Sequence, residues 1–389
     1  MTLDLTGKTD EEVERIGYGS YLINAAGTCA DCHTWQGGGF LAGGRRFALG
    51  PTQFVTSRNL TPDPTTGLPL TEDQFIEALR TGKDFHSRTP AALIVMPWNN
   101  IRWLSTANLK ALYAYLRAIP PVANLIPPDD KPIVAPIPFP DNYNTGDVER
   151  ELPSDDVNTN RSEWRRGLAI SPLAAPGDLD HETRDFGRGS YIVNTTADCT
   201  ACHTWPNLSN SATFQINTAA FLSGGRLFLP PPPVAASLHE ARALSADLSG
   251  ATHGFLHEAD STFDRFLAII RTGTHADESP PRPLAFPMPW AKFRLMLDDD
   301  LRAIYTYASL LPARTAGGDK LIPNYARWCA TAADCRSGET CFDNPATHLK
   351  ECVGAACSVD SDCDACQTCT VGVCTAPTAS NTCLTNGIP

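Results

Sequence analysis

With 389 residues the chain is long enough for two or three separately packed domains. Its net charge of −12, from 43 acidic against 31 basic residues, excludes the basic face that a nucleic-acid partner requires. The 42 % hydrophobic content is that of a soluble globular protein, and no apolar run reaches the roughly 20 residues of a membrane-spanning helix.

The first helix is predicted from about Glu11 to Asn24, where Val13, Ile16, Tyr21 and Ile23 recur at mostly helical spacing. GTCADCHTW follows from Gly27 to Trp35, then FLAGGRRF from Phe40 to Phe47. TEDQ, starting at Thr71, reads as a capping box that opens the helix FIEALRTG, with Gly82 as its stop. After MPW at Met96–Trp98, Ser105 or Thr106 can cap ANLKALYAYLRAI, which Pro120 and Pro121 terminate. Residues 120–141 then hold eight prolines in twenty-two positions, which favours extended structure. This connector, 123–182, has enough Val, Ile and Phe to pack along its neighbours.

Every block then recurs in the same order. GYGSYLINAAGTCADCHTW matches GRGSYIVNTTADCTACHTW, FLAGGRRF matches FLSGGRLF, and QFIEALRTG matches RFLAIIRTG. The MPW block from Met96 matches the one from Met288. Four blocks written twice mark a tandem duplication, with domains at 1–122 and 183–322. Strand signals are few, so the predicted fold class is mainly α: two small helical domains, plus a cysteine-rich module over 323–389.

The Cys-x-x-Cys-His core of each repeat has a specific chemistry. Cys29 and Cys32 are spaced to form thioether bonds to one porphyrin, and His33 follows as the proximal iron ligand; Cys199, Cys202 and His203 repeat the set. A redox dithiol does not need the histidine, and a zinc site needs a second half with similar local spacing. Two covalent haem c groups are therefore expected. Only four methionines exist, and Met96 and Met288 stand at equivalent places as candidate sixth ligands, which suits outer-sphere electron transfer. His86, His275, His239, His253 and His257 compete for that place, and His181 and His348 carry no signal. Arg45 and Arg226, like Arg80 and Arg271, are candidate partners of haem propionates. Trp35, Trp205, Trp98 and Trp290 are expected to wall the haem pockets.

On these motifs both halves resemble class I cytochrome c domains of the type found in tandem in the cytochrome subunits of membrane-associated sugar and alcohol dehydrogenases. RIGYGSYLINAAGTCADCHT, NLTPDPTTGLPLTEDQFIEALRTG and MPWNNIRWLSTANLKALYAYLRAIPPV carry the resemblance. It implies three main helices around a covalent haem, axial His33 with Met96 and His203 with Met288, and a role as electron carrier between a donor and an acceptor protein. Those subunits usually carry three haem domains, whereas this chain has two such motifs, and its second half lacks the TPDPTTG loop.

Ten of the fourteen cysteines lie between Cys329 and Cys383, a density typical of disulfide scaffolds in an oxidising compartment. Covalent haem and dense disulfides place the chain in the periplasm or at the bacterial cell surface. The first residues, MTLDLTGKTDEE, lack a secretion pattern, so a leader is expected to have been removed or to lie upstream. The module is a candidate surface for docking or self-association. Two other functions compete with a plain carrier: a two-haem enzyme of peroxidase or thiosulfate-oxidising type, which needs an open or non-methionine iron, and a conductive filament of repeated copies.

Overall fold

The computed structural model describes residues 2–35, 38–49, 53–86, 91–127, 129, 159–173, 182–210, 215–228, 243–249, 256, 261–277, 282–284, 287–312, 340–344, 349–354 and 368–375. Helix is their main regular structure, and most of the helices occur as two copies of one unit. The first contains α1 (Asp10–Asn24), α2 (Cys29–His33), the ribbon β1 (Arg46–Ala48) with β2 (Phe54–Thr56), α3 (Glu72–Thr81), α4 (Trp98–Ile101) and α5 (Thr106–Ala118). Between the units lies α6 (Thr159–Ile170). The second contains α7 (Glu182–Asn194), α8 (Cys199–His203), β3 (Leu208–Asn210) with β4 (Gln215–Ile216), and β5 (Leu227–Phe228) with β6 (Ala243–Leu244). It continues with α9 (Phe263–Thr272), the ribbon β7 (Thr274–His275) with β8 (Arg282–Pro283), α10 (Trp290–Phe293) and α11 (Asp298–Leu310).

Local chemistry accounts for these bounds. Thr9 with Glu12 and Thr71 with Gln74 form full capping boxes, and the Ser105 and Thr262 side chains accept from the backbone N–H groups of Asn108 and Arg265. No side chain caps α11; its first turn carries Asp298, Asp299 and Asp300, which suit the helix dipole. α3 and α9 both end at a left-handed glycine, Gly82 (φ +70°) and Gly273 (φ +71°).

The first and last helices of each unit cross closely. A Cβ on Gly19 would overlap the backbone of Ala111, and one on Gly189 would overlap that of Ala303. The same polar link secures both crossings: Asn24 Nδ2 donates to Tyr115 Oη at 3.0 Å, and Asn194 Nδ2 donates to Tyr307 Oη at 3.4 Å.

The connector differs from its extended expectation where it is described. Residues 121–127 form no helix, but α6 occupies 159–170 and packs on α7. Gly167 and Gly187 let these two helices touch backbone to backbone, and Ser190 Oγ donates to the Gly167 carbonyl at 2.7 Å. A run of prolines upstream does not prevent a helix in the proline-free stretch NTNRSEWRRGLAI.

The two units interlock by exchanging equivalent contacts. Tyr21 of α1 reaches the start of α11: its hydroxyl donates to Asp300 Oδ2 at 2.5 Å and accepts from Leu297 N at 3.2 Å. Tyr191 of α7 reaches the start of α5, where its hydroxyl accepts from Ser105 N at 2.8 Å and Asn108 Nδ2 at 2.9 Å. Each tyrosine occupies the same place in its repeat, and so do their targets. Ala25 and Ala26 pack into the second core, while Ile170 and Tyr191 pack into the first. Between the tyrosines lies a buried charge network. Glu163 of α6 accepts from Tyr18 Oη at 2.9 Å and Asn108 Nδ2 at 2.8 Å, and pairs with Arg188, whose Nε also donates to Asp300 Oδ1 at 2.9 Å.

In the cysteine-rich end, β9 (Thr340–Asn344) pairs with β10 (Leu349–Val353), and β11 (Thr368–Thr370) pairs with β12 (Val373–Thr375), both antiparallel. Cys341, Cys369 and Cys374 are disulfide-bonded. The other seven cysteines of this end are Cys352, opposite Cys341 on β10, and six that lie outside the described residues.

Candidate functional site

The Cys-x-x-Cys-His residues form one short helix in each unit, and a loop holds its end in the same way twice. Gly43 N and Gly224 N donate to the His33 and His203 carbonyls at 2.7 Å. Thr34 Oγ1 and Thr204 Oγ1, from the repeated His-Thr-Trp, accept from Leu41 N and Leu222 N at 3.0 Å. Arg45 Nη1 donates to the Asp31 carbonyl at 3.0 Å, and Arg226 Nη1 donates to the Ala201 carbonyl at 2.6 Å. These guanidinium groups lie over Trp35 and Phe47 in one half, and over Trp205 and Phe228 in the other. The carbonyls that a short helix leaves unpaired at its end are thereby satisfied.

Each histidine is fixed through its far nitrogen. His33 Nδ1 lies 2.8 Å from the Arg58 carbonyl, and His203 Nδ1 lies 2.8 Å from the Ala246 carbonyl. A carbonyl only accepts, so Nδ1 carries the proton and Nε2 keeps its lone pair for a metal. Burial holds both imidazoles below the usual histidine range, which favours the neutral form that can ligate. The thiols are protonated at neutral pH. Burial pushes Cys29 up to about 11, against the pull of Lys292, and burial with the charge of Asp198 pushes Cys199 up to about 12.

In the first half Cys29, Cys32, His33 and Met96 converge on one cleft of about 1240 Å³, including the open space at its mouth. Its walls are mostly apolar, with Leu60, Leu68, Phe75, Leu79, Leu112 and Leu116 among them. Thiols and a histidine at one side and a thioether on the wall are the donor set that a covalent, six-coordinate haem needs. In the second half, Cys199 and Met288 pack against one core cluster with Phe266, Ile270 and Phe293, as Cys29 and Met96 pack against the first core.

Other expected residues fall elsewhere. Trp98 is not among the residues of the first cleft's wall; it is buried, and its Nε1 donates to the Leu93 carbonyl at 3.1 Å. A Cβ on Gly82 would overlap the Trp98 ring, and one on Gly273 would overlap the Trp290 ring, so each tryptophan packs on a helix-ending glycine. Trp35 is 47 % exposed. Arg80 and Arg271 brace the chain after the methionines: Arg80 donates to the Arg102 carbonyl, and Arg271 donates to the Arg294 and Met296 carbonyls. His86 lines the first cleft and lies 3.8 Å from Asp84, whereas His275 is buried on β7. His181, His239, His253, His257 and His348 lie outside the described residues.

Three features carried no sequence signal. Arg58, on the cleft wall, pairs with Asp129 of the connector at 2.6 Å. Lys292 of α10 pairs with Asp31 of α2, and the equivalent Asn100 of α4 donates to Asp198 Oδ1, ahead of α8, at 2.5 Å. The turn after each methionine therefore touches the cysteine helix, or its approach, in the opposite unit.

No protein-family model matches the chain. It is 29 % identical over 309 residues to the fructose dehydrogenase cytochrome subunit of Gluconobacter japonicus, which covers 78 % of this chain and 54 % of that protein. It is 30 % identical over 231 residues to the gluconate 2-dehydrogenase cytochrome c subunit of Pantoea cypripedii, covering 57 % and 46 % respectively. Against the cytochrome c subunit of the alcohol dehydrogenase (quinone) of Gluconacetobacter polyoxogenes, identity is 31 % over 225 residues, covering 56 % and 42 %. The chain spans about half the length of these relatives, which are cytochrome subunits of dehydrogenases.

Proposed function

We propose that the chain is a two-haem c-type cytochrome that carries electrons between protein partners and has no bond-making site of its own. Cys29 with Cys32, and Cys199 with Cys202, hold the two porphyrins; His33 with Met96, and His203 with Met288, ligate the irons. Bound haem supplies the one-electron Fe(III)/Fe(II) couple. The protein's own part is to present neutral Nε2 atoms, keep water from the apolar walls and hold both attachment helices rigid. One observation carries the reading: Cys29, Cys32, His33 and Met96 meet at a single, mostly apolar cleft.

The similar dehydrogenase subunits make a dehydrogenase the natural donor, with a second redox protein as acceptor. Haem attachment and the disulfide-bonded cysteines favour the periplasm or cell surface, and no described helix is long and apolar enough to cross a membrane. The cysteine-rich module is stapled by disulfides in this reading and serves docking or self-association. Intact mass and a pyridine haemochrome assay test the cofactor claim. Two covalent haems per chain are expected, falling to one in C29S/C32S or C199S/C202S. A wild-type chain with no covalent haem would overturn it.

A further inference from the structure

The two sites are so alike that their differences in charge can be compared position by position, and three of those differences have the same sign. The first loop carries Arg58 then Asn59 where the second carries Ala246 then Asp247, and it is the Arg58 and Ala246 carbonyls that take the histidine protons. Asn59 and Asp247 shape the same turn: Asn59 Oδ1 accepts from Thr61 N at 3.0 Å, and Asp247 Oδ1 accepts from Ser249 N at 2.7 Å. A neutral amide in one half is thus a carboxylate in the other, one residue beyond the histidine's partner. Immediately before the cysteine helices stand Thr28 and Asp198. Across the interface Lys292 meets the first cysteine helix, whereas the neutral Asn100 meets Asp198.

Among the described residues, three cations (Lys292, Arg45, Arg58) and three carboxylates (Asp31, Asp129, and Asp198, whose charge also reaches Cys32) thus flank the first site. Arg226 stands against Asp198 and Asp247 at the second. Lys83 and Asp84, also on the first cleft's wall, have opposite signs and leave the contrast unchanged. Adding an electron makes a site more negative by one, so neighbouring cations favour the reduced form and neighbouring carboxylates the oxidised form. A contrast of one charge at such range, partly screened from water, biases the distribution of an electron by on the order of tenfold.

Resting on the two-haem reading, we infer that the first-half site holds the higher-potential haem and the second-half site the lower, so electrons enter at the second half and leave from the first. With haem bound, the second-half residues would hold the group that takes one electron from a reduced donor protein, and the first-half residues the group from which an oxidised acceptor protein takes it; no proton or further reactant would be needed. The interface where Lys292 meets Asp31 and Asn100 meets Asp198 brings the two attachment helices into one region for this transfer.

Spectroelectrochemical titration of the full chain with both haems attached tests the order. Two steps are expected, separated by about tenfold in equilibrium constant. Asp247→Asn keeps an oxygen for Ser249 N and should raise only the lower step; Lys292→Gln should lower only the upper one. Asp247→Ser, whose hydroxyl can still accept from Ser249 N, is a second route to the lower step should the Asn variant lose haem. A single merged step, or Asp247→Asn moving the upper step, overturns the ordering while leaving the haem reading intact. Fewer than two haems per chain overturns the haem reading beneath it.

Discussion

His33 and His203 owe their orientation to backbone carbonyls, which explains both what sequence could show here and what it could not. The cysteines, histidines and methionines are legible because the chemistry fixes residue type and spacing. Arg58 and Ala246 are not, because any residue has a carbonyl and these two have nothing else in common. Thr34 and Thr204 were visible only as repeated letters; their role is to accept a backbone N–H that fixes the loop over the cysteine helix. The methionines carry the sharpest prediction at this scale. Met96→Ala should lower the reduction potential of the first-half haem and let carbon monoxide bind its reduced iron, and Met288→Ala should do so in the second half. Potentials and carbon monoxide difference spectra measure this; unchanged values in both variants would remove the methionines as ligands.

At the scale of elements, the motif pair Arg-Thr-Gly and Met-Pro-Trp is one device in two pieces. The left-handed glycine that ends α3 or α9 leaves room for the tryptophan that follows the methionine, and the arginine beside it braces the chain beyond α4 or α10. Gly82→Ala and Gly273→Ala each introduce a strained φ, at about 1–2 kcal/mol, and a clash with an indole ring. Thermal unfolding should show losses of at least that size, and unchanged midpoints would contradict the packing. Most long helices were legible, since caps, acidic first turns and glycine stops agreed with the apolar period. The helix in the connector was not, because the surrounding prolines set the expectation for a segment that itself contains none. Trp98, expected to wall a haem pocket, is buried against Gly82.

Across the whole molecule, duplication has produced reciprocal contact: each unit's tyrosine caps the other unit's last helix. Nothing in the sequence marks partners such as Tyr21 and Asp300, 279 residues apart, because polar contacts between domains leave no period to read. Tyr21→Phe takes the acceptor from the Leu297 N–H and removes one of the two donors to Asp300 Oδ2, leaving Arg188, at about 1–3 kcal/mol. Glu163→Gln takes the charge from a buried ion pair and should cost about 3–5 kcal/mol. Chemical denaturation monitored separately at the two haems checks both: one shared transition is expected in the wild type, and early separation of two transitions in Glu163→Gln. Independent transitions in the wild type would show that the exchange does not join the halves.

The measurement that bears most directly on the central claim is the near-infrared spectrum of the oxidised chain, normalised to haem content. Two His/Met sites predict the methionine-to-iron charge-transfer band at the strength of two haems, with no high-spin signal. A band of half that strength, or none, would contradict the account and leave an iron open or ligated by histidine.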